Sequence, residues 1–237
     1  MLEFGSGARA LGMEPAIADA GLRAFVLIGS PLWDRVQGLP FCNAVYSPQS
    51  AFTFCVCPEA LPALRALLNL QMEYKYFPVA YSALSSRRSY VPLSSGQHSF
   101  PGFSLHTTLL GSSPVRCGYR LAAEDKSLVY LVDVDWNMSS REFTSLVDFC
   151  AGADVLITAP EVACEWTPSR SGDTLRDGPL RLAAQANVKQ LILSHYSPMW
   201  FDSDIAQERA RLHTRVAAMP NAGFALAFAQ EGWELTV

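Results

Sequence analysis

The residue types that could do chemistry are few and far apart. The run Ile28-Gly29-Ser30-Pro31-Leu32-Trp33-Asp34-Arg35 follows an apolar stretch and puts a hydroxyl, a carboxylate and a guanidinium on one short loop. Asp133 closes the apolar run 128–132, and His195 follows the apolar run 190–193. Ser113 and Asp173 stand in polar segments. These types suffice for metal-independent attack on an ester or phosphodiester. His195 would be the base, Asp133 or Asp173 its orienter, Ser30 or Ser113 the nucleophile, and Arg35 the stabiliser of anionic charge. No motif ties either serine to the histidine. Structural roles compete for the same residues: Asp34 as a helix cap, Asp133 as the ion-pair partner of Arg35, His195 as a hydrogen-bonded core histidine.

The elements that must position these residues alternate between strands and amphipathic helices. Residues 22–28 read as a strand stopped by Gly29-Ser30-Pro31, and 52–56 as a second strand. Leu61, Leu64, Leu67 and Leu68 recur at helical spacing within 58–70. Three successive strands are predicted at 103–109, 117–122 and 127–132, the last two joined by the polar turn Ala123-Glu124-Asp125-Lys126. A Ser-Ser-x-Glu start predicts a capped helix over 139–150. Strands at 154–157, 190–193, 224–229 and 233–237 and helices at 174–186 and 202–218 complete the pattern. The serine-rich stretch 82–99 reads as a loop. Antiparallel strands followed by βα units fit a single α/β domain over 1–237.

Composition narrows the class. Half of the 237 residues are hydrophobic and 17% are charged, enough for a sizeable core and too apolar for disorder. A net charge of −4 argues against a nucleic-acid surface. No apolar run approaches the ~18 residues of a membrane span, and the N-terminus reads as no secretory signal. A cytoplasmic location is the expectation. Six cysteines include the close pair Cys55 and Cys57 in a strand-like run; with no His or further Cys nearby to make a soft-metal site, these read as buried core thiols in a reducing compartment. Trp33, Trp136, Trp166 and Trp200 fall near the C-terminal ends of strands, as a ligand-stacking surface, a partner patch or dry packing.

Several segments in order resemble a known family. Residues 28–41, ending in Gly38-Leu39-Pro40-Phe41, resemble the metal-binding loop of the metallo-β-lactamase fold, in the branch of phosphodiesterases and transfer-RNA-processing nucleases. There Thr-His-x-His-x-Asp-His precedes a Gly-Leu-Pro-Phe stretch. Glu3-Phe4-Gly5-Ser6-Gly7 resembles the family's Asp-Gly-x-Gly step, and Ser113-Pro114 with Gly118-Tyr119-Arg120 its His-Pro and Gly-Tyr-Arg segment. The strand ending in Asp133 looks like the one that carries the bridging aspartate, and the strand before His195 like the one that carries the last histidine.

The resemblance implies an α/β fold, a metallo-β-lactamase-like αββα sandwich, N-terminally shortened. In the family, three imidazoles and a carboxylate on that loop help hold two zinc ions, which generate a hydroxide and polarise a phosphoryl group. Here Ser30, Leu32 and Arg35 stand where the three histidines would, and only Asp34 is kept. Ser113 replaces a further histidine, and Asp173 falls on the histidine of a Gly-His-Ser-Thr-like segment. Asp133 and His195 are kept. A leucine cannot ligate zinc, and an arginine puts fixed positive charge at the metal position. The expectation is therefore a catalytically degenerate protein, without zinc or another cofactor. It would act by binding within a homo- or hetero-oligomer that covers an open first-sheet edge. A remodelled hydrolase is the alternative. A third reading is a sensor of a small nucleotide-like anion through Arg35 and Arg120; neither a membrane nor a nucleic-acid partner is expected.

Overall fold

The computed structural model describes residues 1–112, 115–160, 177–197, 199–220 and 222–236. They form two units. The first comprises Met1–Ser95 with Ser112–Cys117, the second Gly96–Gly111 with Gly118–Val237.

In the first unit, two short helices, α1 (Ala8–Leu11) and α2 (Pro15–Ala20), lead into strand β1 (Arg23–Leu27). Strand β2 (Ala51–Val56) and helix α3 (Leu61–Leu70) follow, then strand β3 (Arg87–Pro92). The three strands pair in parallel in the order β1-β2-β3. Residues Met1–Glu3 run along the outer side of β1: Leu2 bridges Leu27, the Leu27 N–H donates to the Met1 carbonyl, and the Glu3 N–H donates to the Leu27 carbonyl. Proline in the first turn of α3 supplies a preset φ where no N–H is needed. One turn apart, Leu64 and Leu68 are fully buried with Phe4, Phe52 and Phe54. Phe4 meets Phe52 edge-on at 5.4 Å.

The second unit holds a seven-stranded sheet in the order β10-β9-β8-β7-β6-β5-β4. Its strands are β4 (Gly96–Phe100), β5 (Phe103–Ser112), β6 (Val115–Ala123), β7 (Lys126–Leu131), β8 (Val155–Thr158), β9 (Gln190–Leu193) and β10 (Ala225–Phe228). The pairs β4–β5 and β6–β7 are antiparallel, and β7 to β10 run parallel. Helices α4 (Ser140–Cys150), α5 (Gly178–Gln185) and α6 (Asp202–Ala218) pack their apolar sides onto it through Leu146, Leu182 and Leu212. The capping box predicted at the start of α4 is present, with Ser139 and Glu142 bonding reciprocally.

Three expectations need correction, and a fourth is described only in part. The stretch 82–99 contains β3 and the start of β4. Because β3 is an edge strand, its outward positions are polar, while Tyr90 stacks on Phe54 at 5.6 Å and Ser89 bonds Thr53. The Pro101-Gly102 turn, with Gly102 at φ +85°, closes the β4–β5 hairpin. Residues 233–236 form no strand despite their alternating pattern: all are exposed, with nothing to bury against. The helix expected over 174–186 is described from Gly178, and 174–176 lie outside the described residues. Finally, Cys57 is bonded to Cys117 across 60 residues of sequence, so it is no core thiol; Cys42, Cys55 and Cys150 are free and buried. Burial pushes the Cys55 and Cys150 thiols up to about 11 and about 12. Among the described residues no helix is long and apolar enough to cross a membrane.

The N-terminal end of the parallel strands is tied by Asp154. Its carboxylate accepts from Lys189 Nζ at 2.7 Å and from the Ser127 N–H at 2.8 Å, which hold its pKa below the ordinary value. A folded value below the unfolded one stabilises at neutral pH and down to the usual carboxylate range near ~3.9. That contribution is lost as pH falls through the folded value. Asp154→Asn should flatten the acid side of a Tm-versus-pH curve between about pH 5 and pH 2. Lys189 is exposed, so the difference should be small and shrink with salt.

Candidate functional site

Two groups of the singled-out residues are described, one in each unit. In the first unit, β1 ends at Leu27 and the chain turns through Gly29, whose N–H donates to Glu3 Oε1 at 2.9 Å. Ser30 is fully buried behind it. A 3-10 turn, Trp33–Arg35, then points its three side chains to different surroundings. Trp33 is exposed, Asp34 half-exposed, and Arg35 almost wholly buried at 1%. The Arg35 guanidinium pairs with the Asp34 carboxylate at 3.5 Å, and its carbonyl accepts from the Phe4 N–H at 2.7 Å. Gly38 is required here: a Cβ would run into the Gly5 carbonyl, which crosses directly beneath it.

In the second unit, Asp133 lies just past β7 and His195 just past β9. Both strands run parallel with β8 between them, so the two residues leave the same end of the sheet, about 10 Å apart by strand spacing. Both have positive φ, +58° and +55°, a conformation that costs a non-glycine residue and persists where the surroundings enforce it. Asp133 is fully buried. The His195 ring is held from both sides, with Ser194 Oγ at 2.8 Å from Nδ1 and the Tyr130 hydroxyl at 3.4 Å from Nε2. Ser113 and Asp173 lie outside the described residues.

Sequence reasoning passed over Ser194 and Tyr130. Ser194 directly precedes the histidine at a strand end, a signal that was available. Tyr130, 65 positions away, becomes visible only through strand pairing. Arg120, enlisted for an anion, is committed elsewhere: it donates to the Phe149 and Ala151 carbonyls and to Ser127 Oγ. The tryptophans divide as well. Trp33 is exposed, Trp136 packs against the second core, and Trp200 stacks on Tyr196 at 6.4 Å; Trp166 lies outside the described residues.

The donor chemistry does not fit two zinc ions. Its loop offers a hydroxyl, a leucine, an arginine and one carboxylate, and that carboxylate is already paired with the arginine. Among the described residues no group of three or more His, Cys, Asp or Glu could hold a metal ion.

No family model matches this chain, and no curated protein matches it in sequence. Solved structures do match. One is the metallo-β-lactamase fold protein YhfI from Bacillus subtilis, 14% identical, with TM-score 0.64 over 98% of this chain and 84% of that one. Another is a diphosphatase from the PhnP family, 16% identical, with TM-score 0.63 over 100% of this chain and 79% of that one. The short form of human tRNase Z, 16% identical, matches with TM-score 0.56 over 83% and 81%. The chain has the metallo-β-lactamase fold.

Proposed function

From a metallo-β-lactamase fold whose first loop carries serine, leucine and arginine, we propose that this chain is a catalytically degenerate member that acts by binding, as a subunit of an oligomer. One observation carries the reading: Arg35, at the loop position that the resemblance gives to a metal-binding histidine, is buried and paired with Asp34. A guanidinium there carries the positive charge that the loop's remaining carboxylate needs, without a metal. The oligomer would form along the first sheet, where β3 presents an edge.

Metal analysis of protein purified without a histidine tag tests this. Less than about 0.1 equivalent of zinc, manganese or iron is expected, since a structural or catalytic site would retain its ion. Stoichiometric metal would reject the reading. Light scattering at tens of micromolar checks the assembly, and a strict monomer would remove the oligomeric part.

A metal-independent hydrolase is the second reading, favoured by the Ser194 Oγ–His195 Nδ1 contact at 2.8 Å. It requires ester or phosphodiester cleavage that survives a chelator and disappears in Ser194→Ala.

A further inference from the structure

We infer that β3 offers its outer edge to an acidic, extended segment of another protein, which adds a fourth strand to the first sheet. The inference rests on the proposed binding along this edge and assigns the edge to an unlike partner.

The backbone groups set the register. The Arg87 and Leu93 N–H groups donate to the Ser50 and Val56 carbonyls on the β2 side. Successive residues of a strand face opposite sides, so Arg87, Ser89 and Val91 bond β2, and Arg88, Tyr90 and Pro92 face away from it. Among the described residues neither the Arg88 and Tyr90 N–H groups nor the carbonyls of 88, 90 and 92 have a hydrogen-bond partner. Pro92 carries no N–H and ends the row of donors. A row this short matches about five residues of an added strand.

The charges around that row have one sign. β2, α3, β3 and residues 81–86 contain no aspartate or glutamate, whereas they contain Arg65, Arg87 and Arg88. That local excess stands against a net charge of −4 for the whole chain. The Arg65 guanidinium lies 4.5 Å above the Tyr90 ring, which is itself stacked on Phe54. Arg88 is held over Tyr81 at 4.9 Å and donates to the Leu84 and Ser86 carbonyls. Those partners fix its position and carry no net charge, so its own charge stays uncompensated. Arg87 is exposed on the opposite face of the sheet. Neither Arg65 nor Arg87 makes an ion pair among the described residues.

Pairing two such edges with each other would set arginines against arginines, which is unfavourable. The same charges attract carboxylates at alternate positions of an incoming strand. Charge therefore disfavours a second copy. The open N–H and carbonyl groups favour a polypeptide over a nucleic acid, which forms no β-ladder.

An eight-residue peptide alternating glutamate and valine is the probe, titrated against the full chain. It should bind saturably with Kd below about 0.5 mM at low salt and more weakly as salt rises. Its fully N-methylated analogue keeps the charge without the N–H donors and should bind at least about ten-fold more weakly. Saturating peptide should slow amide exchange at Arg88 and Tyr90 at least about ten-fold and leave Ser89 and Val91, already bonded to β2, unchanged. Arg65→Gln with Arg87→Gln, both at exposed positions, should weaken peptide binding at least about five-fold with Tm within about 2 °C of native. No saturable binding, equal affinity for the two peptides, or unchanged exchange at Arg88 and Tyr90 would each overturn the inference. So would a short single-stranded oligonucleotide that binds more tightly than the peptide, which would give the surface to nucleic acid. Light scattering keeps this result apart from self-assembly. A monomer that binds the peptide upholds the inference without a homo-oligomer, and a self-assembled chain that ignores the peptide overturns it.

Discussion

Reduction of the Cys57–Cys117 bond, or its removal as Cys57→Ser with Cys117→Ser, should cost about 4 kcal/mol of stability. The bond closes a loop of 60 residues, and the chain-entropy estimate for a loop of that length gives about this value. For a chain of this size that corresponds to about 8–16 °C in Tm. Its placement supports a native rather than an incidental role. Cys57 follows β2, whereas Cys117 lies in β6 and donates its N–H to the Gly29 carbonyl at 2.7 Å. Within the first unit the bond thus holds Cys117 at the exit of β2, while its N–H is held at the exit of β1. Thermal unfolding with and without reductant measures the effect, and peptide mapping under non-reducing conditions identifies the linked pair. Identical melting curves for native and double-serine protein would show that the bond contributes nothing.

Arg35→Ala should lower stability by about 3 kcal/mol, mainly by emptying space that a large buried side chain fills. The ion pair itself accounts for the smaller share. Asp34 is half-exposed and regains water when the arginine is gone, so that contact is worth about 1 kcal/mol or less. A Tm decrease of about 6–12 °C is expected. Arg35→Met keeps most of the stem and should recover more than half of the loss. Arg35→His should bind no zinc, because Ser30 and Leu32 still supply no ligand. An alanine variant with native Tm, or a histidine variant that takes up a full equivalent of zinc, would contradict this account of the loop.

Elements with a dense local signal were legible before the fold was known. The capping box at Ser139, the Leu64–Leu68 spacing, and the runs 190–193 and 202–218 all state their conformation within a few residues. What escaped reading depends on partners far along the chain. β3 is polar because it lies at an edge, a fact that belongs to the sheet and not to the strand. The Cys57–Cys117 bond has no characteristic spacing. At the candidate site, residue identities could be read from the loop motif, but the burial of Arg35 and the clamp of Ser194 and Tyr130 on His195 could not.

Arg120 joins two backbone carbonyls and a side-chain hydroxyl with one planar group. From β6 it reaches the last carbonyls of α4, at Phe149 and Ala151, and the Ser127 hydroxyl at the start of β7. Carbonyls at a helix end have no partner within the helix, so α4 depends on the β6–β7 hairpin for its final turn. Amide hydrogen exchange should register that dependence as a shared opening event, with the end of α4 and the hairpin exposing their N–H groups at one common free energy. Replacing the forked guanidinium by the single ammonium of lysine would split that event in two, and the helix end would exchange first.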